Sequence, residues 1–272
     1  MGALHAGHLS LISEARAQCD FVVVSVFVNP AQFDEQADLL AYPRQEAEDG
    51  ALAAEAGAHL LFVPTVEEMY PPGFQTWVKV DHLSDRLEGA VRGAGHFHAM
   101  CTIVCKLLNV VAPDVAFFGQ KDAQQAAVVR RMVADLDMAV RIATMPTVRE
   151  SDGLAMSSRN RRLSASERRR APALHAALAA GAAAAAAGER SAQRVLAAAA
   201  EPLRAASVQA QYLEIVEEDT FESVQEISGE CLLLIAARIG QTRLIDNIRL
   251  HPQPPAFGAQ AVDQPTNTTK EL

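Results

Sequence analysis

The 272-residue chain is 50% hydrophobic and 21% charged, with a formal net charge of −9. This is the profile of a globular protein with room for one large domain or two modest ones. The acidic balance excludes a nucleic acid backbone as the main ligand. Anionic small molecules stay possible beside a local Lys/Arg cluster, because screening confines the acidic field to about 8 Å. No run approaches the ~18 to 20 apolar residues of a membrane span, and four cysteines without a Cys-x-x-Cys pair fit a reducing, cytoplasmic setting.

In chain order, Leu9 to Gln18 has helical spacing, Phe21 to Val28 is a β-branched strand, and Arg44 to Ala56 is an Ala/Glu-rich helix. His59 to Val63 and Thr76 to Val80 read as short strands. His96 to Val111 reads as an apolar helix, Val115 to Phe118 as a strand, Ala123 to Leu136 as a helix and Val140 to Thr144 as a strand. Strands alternating with helices imply a parallel sheet covered on both faces. Past Pro146 a polar loop, Arg149 to Arg162, leads into an alanine-rich stretch from Ala165 to Ala206, expected as two helices broken near Gly188. Strands at Gln209 to Val216 and Cys231 to Ala237 follow, then the segment Thr242 to Ile248. The expected fold is therefore α/β: a Rossmann-like doubly wound domain over 1–147 and a smaller α+β domain over 148–251. The tail, 252–272, has little to bury and is expected to be disordered.

Four motifs carry chemistry. His5-Ala6-Gly7-His8 stands at the start of a helix, where free N–H groups and the positive end of the dipole favour an anion. Two imidazoles three residues apart share a face there and can donate to phosphate oxygens as charge builds on a leaving group. Met156-Ser-Ser-Arg-Asn160 offers two hydroxyls and a guanidinium on a flexible loop that could close over a triphosphate. In Phe117-Phe-Gly-Gln-Lys-Asp122 a strand passes through a glycine loop into a helix, placing Lys121 as a point charge. Asn29-Pro-Ala-Gln-Phe33 ends a strand, where ligands gather in open parallel sheets, and Gln32 suits a carboxylate or hydroxyl substrate.

Taken in order, these pieces resemble the pantothenate synthetase (pantoate–β-alanine ligase) family of the His-x-Gly-His nucleotidyltransferase superfamily. The resemblance runs from Met1-Gly-Ala-Leu-His-Ala-Gly-His8 through Ala41-Tyr-Pro-Arg44, Leu87-Glu-Gly-Ala90, Gln124-Gln125 and Pro146-Thr-Val-Arg149 to Thr242-Arg-Leu-Ile-Asp-Asn247. It implies an ATP-dependent ligase that joins pantoate to β-alanine through a pantoyl adenylate, with Mg²⁺ on the phosphates and a homodimer as the assembly. By motif position His8, His5, Lys121 and Arg159 are the catalytic set. Met1, Gly2, Ala3, Leu4, Ala6, Gly7, Gly119, Gln120, Asp122, Val148, Met156, Ser157 and Ser158 join them in holding ATP. Gln32 matches the residue between pantoate and β-alanine, and Gln125 matches a pantoate ligand. Tyr42, Glu88, Arg92 and His96 match positions near the rim, and the resemblance singles out no protein ligand for the metal.

The chain also departs from the family pattern. Family members carry a few tens of residues before the motif, including a central strand, so Met1 is expected to be an internal methionine of a longer protein. Gln120 stands where the family usually has Glu, Ala123 where it usually has Tyr or Phe, and the segment Arg92–His96 carries one extra residue. Two further readings stay open on the residues: another nucleotidyltransferase of the superfamily, and an inactive relative that keeps the fold.

Overall fold

A short hydrogen-bonded ladder and the helix that follows it recur through the first half of the chain. The computed structural model describes residues 2–33, 39–40 and 42–251; the ATP contact expected of Met1 and the disorder expected of 252–272 lie outside these. Helix α1 (Ala6–Gln18) precedes β1 (Val23–Ser25), and α2 (Glu46–Glu55) precedes β2 (Leu60–Phe62) and the single turn α3 (Val66–Met69). Then come α4 (Glu88–Arg92), α5 (Ala94–Val111), β3 (Val115–Gly119), α6 (Ala123–Asp135) and β4 (Arg141–Met145). The second half comprises α7 (Ala165–Arg170), α8 (Ala173–Ala186), α9 (Ala192–Ala205) and the strands β5 (Ala210–Glu217), β6 (Cys231–Ile239) and β7 (Thr242–Leu250).

The parallel pairing predicted from the alternating pattern is present, in two separate ladders. β1 pairs with β2 in the register Val23–Leu60 to Ser25–Phe62, and β3 with β4 from Val115–Arg141 to Gly119–Met145. Among the described residues β1 and β3 do not hydrogen-bond to each other. Side chains bridge them instead: Phe117 of β3 packs on a cluster of Leu4, Ile12, Val22, Val24 and Val26. Strand β1 is shorter than its apolar run because its partner β2 has three residues. Thr76 to Val80 forms no strand, since the Val78 N–H donates to the Thr102 hydroxyl (2.9 Å) on α5 rather than to a neighbouring ladder.

The alanine-rich region folds as three helices rather than two. Pro172 supplies the extra break, because it lacks the N–H needed to continue α7 yet suits the start of α8. The small residues permit close packing: a Cβ added at Gly181 would lie 2.5 Å from Leu233 Cδ2 and 3.2 Å from Ala199 Cβ. The three C-terminal strands form an antiparallel sheet in the order β5-β6-β7. The unbroken apolar run of β6 marks a strand buried on both faces. Leu233, Ile235, Ala237 and Ile239 face the helices α8 and α9, while Leu232 and Leu234 join a cluster with Phe97, Met100, Val128 and Met132. One strand thus feeds two cores, one of which draws on both halves of the chain. Among the described residues no helix is long and apolar enough to cross a membrane.

A buried ion pair also ties the halves. Glu88, at the start of α4, accepts from the two Nη atoms of Arg243 (2.6 Å each), from the Tyr212 hydroxyl (2.6 Å) and from Arg92 Nε (3.1 Å). Burial opposes its ionisation, but Arg243, Tyr212 and Arg92 together bring the carboxyl down to about 2. Removing one partner of such a pair leaves a buried charge without compensation. The Arg243→Ala variant is expected to lose about 3 kcal/mol in urea unfolding, and a loss below about 1 kcal/mol would show the pair to be solvated like a surface one.

Candidate active site

The start of helix α1 is closed by its own histidines. His5 is the N-cap, and its Nδ1 accepts from the Gly7 N–H (3.2 Å). His8 returns the contact, its Nδ1 accepting from the His5 N–H (3.3 Å). The rings stack with centroids 4.0 Å apart. An imidazole nitrogen that accepts from a backbone N–H carries no proton of its own, so in the neutral form the proton sits on Nε2. Both rings are kept neutral. Burial, then the neighbouring His5, lowers His8 to about 3, and burial with the Lys121 and Arg161 charges lowers His5.

This changes the expected source of anion contacts. The Gly7 N–H is spent on His5 Nδ1, and the His8 and Leu9 N–H groups on the His5 carbonyl (2.7 and 3.0 Å). Among the described residues, the first-turn donors left for a ligand are the Ala6 N–H and the two imidazole Nε2–H groups. Gly7 is needed for the cap itself, since a Cβ there would lie 3.0 Å from His5 Cε1.

Other segments converge on these rings. A Cβ at Gly7 would also meet Met156 Cβ at 3.7 Å, so the Met-Ser-Ser-Arg segment lies against the histidine motif. That segment is braced rather than flexible. Residues 148–156 form a tight hairpin, with Met156 N–H donating to the Val148 carbonyl (2.9 Å) and the Glu150 N–H to the Leu154 carbonyl (2.8 Å). The Ser157 hydroxyl caps a short turn, Ser158–Arg162, by accepting from the Arg159 N–H (3.3 Å). Arg168 ties Glu150 (2.6 Å) and Asp152 (2.5 Å) from outside.

The Gly119–Asp122 segment is held from the C-terminal sheet. The buried Asn247 donates through its amide to the Gln120 and Lys121 carbonyls (2.8 and 3.0 Å) and accepts from Gln120 Nε2 (3.2 Å). The Gln120 side chain is therefore turned into this buried pair, where an amide supplies a donor that a carboxylate would lack. Lys121 and Asp122 sit at the mouth of a cleft also lined by Glu88, Arg92, His96, Gln125 and Tyr212. No Cβ-sized obstacle lies within 4 Å of Gly119, which leaves its backbone open to close approach. Asp246, beside Asn247, pairs with Arg149 through both carboxylate oxygens (2.5 and 3.0 Å), fixing the base of the hairpin.

Gln32 ends a short turn, Pro30–Gln32, organised by the buried Asn29. Asn29 donates to Gln32 Oε1 and to the Ala99 carbonyl (3.2 Å each) and accepts from the Tyr70 hydroxyl (2.9 Å). His96 Nδ1 bonds the Gln32 carbonyl (2.8 Å), joining this turn to the cleft that holds Gln125. The neighbouring Gln124 faces inward, donating to the Leu83 and Arg86 carbonyls (2.9 and 2.8 Å) and accepting from the Glu88 N–H (3.0 Å). The segment Arg92–His96 turns where α4 meets α5, at Gly93 with φ of +88°.

Residues 1–249 match the sequence signature of the family described as pantoate-beta-alanine ligase. The chain belongs to this family. A pantothenate synthetase of Acidobacterium capsulatum is 52% identical over 258 residues, spanning 94% of this chain and 86% of that protein. The crystal structure of pantothenate synthetase from Thermus thermophilus superposes with a TM-score of 0.89 at 47% identity, covering 93% of this chain and 91% of that one. The pantoate-beta-alanine ligase from Francisella tularensis, complexed with beta-gamma ATP and beta-alanine, superposes with a TM-score of 0.74 at 32% identity, covering 91% and 86%.

Sequence reasoning overlooked the buried groups that hold the ligase loops: Asn29, Asp49, Gln124, Asp246 and Asn247. Four of them stand inside the quoted motifs, as the first Gln of Gln124-Gln125 and the Asp-Asn pair of 246 and 247 do, and position alone marked them. Asp49 lies outside every motif.

The neutral state of His8 has a consequence for stability. Its folded pKa lies below the unfolded 6.5, so the unfolded chain binds the extra proton and stability is lost as pH falls from 6.5 toward about 3. Between pH 6.5 and 4.5, above the range of most carboxylates, a His8→Gln variant is expected to show a flatter decline than the parent, the slope differing by up to about 1.4 kcal/mol per pH unit. Parallel curves in urea titrations would mean that His8 is protonated in the folded protein.

Proposed function

We propose that this chain condenses pantoate with β-alanine at the expense of ATP, in two steps. A pantoate carboxylate oxygen attacks the α-phosphorus, the bond to the β-phosphate oxygen breaks, and pyrophosphate leaves pantoyl adenylate behind. The β-alanine amine then attacks the acyl carbon, the carbon–oxygen bond to AMP breaks, and loss of a proton from the amine gives pantothenate. The observation that carries this reading is the convergence of neutral His5 and His8, the Lys121 cation and the Gln32–His96–Gln125 cleft on one place. Family membership supports it.

Each residue then has a physical task. His5 and His8 donate from Nε2 to phosphate oxygens; charge grows on these as pyrophosphate leaves, so the bonds strengthen toward the transition state. His8 acts as a fixed hydrogen-bond donor. Lys121 and Arg159 neutralise the triphosphate, with the backbone of residues 2–4, 6–7 and 119–122 and the hydroxyls of Ser157 and Ser158 around it. Val148 and Met156, paired through their backbones, border the nucleotide on the hairpin side. Gln32 and Gln125 orient the pantoate, with Gln32 also bordering β-alanine. No enzyme nucleophile is used, so the rate comes from positioning and charge stabilisation.

Among the described residues no three His, Cys, Asp or Glu side chains converge to cage a metal. Mg²⁺ bound chiefly through phosphate oxygens and water needs one or two carboxylates, and Asp122 at the mouth of the cleft fits that need. When bound it would spread the negative charge of the phosphates. We also carry three family expectations as proposals: a division near residue 147, a cytoplasmic location and a homodimer. An exposed Trp77, clustered with Tyr70 and Phe74, supports a subunit contact on that side.

The test is a purified protein supplied with ATP, Mg²⁺, pantoate and β-alanine, following AMP and pyrophosphate. AMP release is expected to require both organic substrates, and Lys121→Ala to lower kcat by about 10²- to 10³-fold. Turnover with a nucleotide other than ATP, or without pantoate, would favour another nucleotidyltransferase; no turnover would favour an inactive relative.

A further inference from the structure

The backbone just before the histidine motif is anchored by a side chain from another element. Asp49, on the buried face of helix α2 and 2% exposed, accepts from the Ala3 N–H through Oδ2 (2.9 Å) and from the Leu4 N–H through Oδ1 (2.6 Å). Both donors are themselves buried. Ala3 has φ of +51°, a left-handed conformation that a residue with a side chain adopts only when its surroundings hold it there. Two consecutive N–H groups converging on one point form the kind of concavity that binds an anion. Here the anion comes from the chain. Among the described residues no basic side chain pairs with Asp49, and its place in the first turns of α2 sets it near the positive end of that helix.

We propose that Asp49 is a positioning residue for the first chemical step: its carboxylate fixes the Ala3–Leu4 backbone and through it the direction of His5 and His8. The chain of contact is short. Leu4 is followed directly by His5, whose ring and carbonyl close the start of α1, and His5 in turn donates to His8. A loop released at Ala3 lets the pair of Nε2–H donors swing, and a misplacement of about 1 Å at such donors costs up to about a hundredfold in rate. The effect falls on adenylate formation, where charge builds on the leaving pyrophosphate. The attack of β-alanine on an adenylate already made does not use those donors in the same way.

This inference rests on the ligase reading, and the half-reactions separate the two. The test compares Asp49→Asn with the parent and with Ala51→Gly, a variant that weakens the same helix on its exposed face, outside the cluster that holds Leu4. Pyrophosphate release from ATP and pantoate is measured apart from pantothenate formation from synthetic pantoyl adenylate and β-alanine. Asp49→Asn turns an amide donor toward one of the two N–H groups and is expected to slow the first half-reaction by about tenfold to a hundredfold, leaving the second unchanged. Ala51→Gly is expected to affect both equally, in proportion to the folded fraction. Replacing Leu4 by its α-hydroxy analogue removes one N–H from the opposite side of the contact and is expected to show the same asymmetry, which keeps the test decisive if Asp49→Asn does not fold. Equal losses in both half-reactions, or a first half-reaction at the parental rate, would overturn the proposal. A parent inert in both would overturn the ligase reading itself.

Discussion

Two hydrogen bonds at the start of helix α1 decide what this site can do. The His5 and His8 Nδ1 atoms each accept a backbone N–H, so the same bonds that cap the helix set the tautomer and aim of both rings. Burial keeps both rings uncharged, reinforced at His8 by the neighbouring His5 and at His5 by the Lys121 and Arg161 charges. A charged pair stacked at 4.0 Å would repel, and a freely rotating pair would lose entropy on meeting a phosphate. Neutral, pre-aimed donors avoid both costs. In the proposed reaction, the reorganisation that catalysis would otherwise demand has been made during folding.

The remaining segments are held by the same device. Each of the motif-bearing stretches of backbone is tied by a buried polar group that hydrogen-bonds to it. Asp49 holds residues 3 and 4, Asn29 the 30–32 turn, Asn247 the 120–122 turn, and Arg149 with Asp246 the hairpin after Val148. Buried polar atoms left unpaired are costly, which makes such contacts strict in geometry. Asn247 belongs to the C-terminal sheet and Gln120 to the N-terminal half, and β6 packs into cores on both sides. Glu88 and Arg243 add a charged tie across the same boundary. The two halves therefore hold the 120–122 turn jointly.

Much of this was legible in the sequence, and the limits have physical causes. Helical spacing located α1, Ala/Glu-rich composition α2, an apolar run α5 and the segment after Asp122 α6, each to within a few residues. The alternation of strand and helix gave the parallel pairing. Thr76 to Val80 misled because an extended, β-branched run needs a neighbouring ladder to become a strand, and here a threonine hydroxyl took the N–H. The break at Pro172 was visible as a residue type but outweighed by the alanines around it. Order and spacing of motifs singled out residues such as Lys121 and Gln125 that line the cleft. They did not distinguish Gln120, whose amide turns inward, from Lys121, which lines the cleft. Nor did they find Asp49, since one more acidic residue beside Glu46 and Glu48 looks like surface until the fold brings residues 3 and 4 against it.

The most direct test of this account is the protonation state of the two imidazoles, read from side-chain ¹⁵N resonances of histidine-labelled protein in long-range ¹H–¹⁵N spectra at neutral pH, with His5→Gln and His8→Gln used for assignment. The account predicts that both rings are neutral, with the proton on Nε2 and an unprotonated Nδ1. An imidazolium at either position, or a proton on either Nδ1, would contradict it.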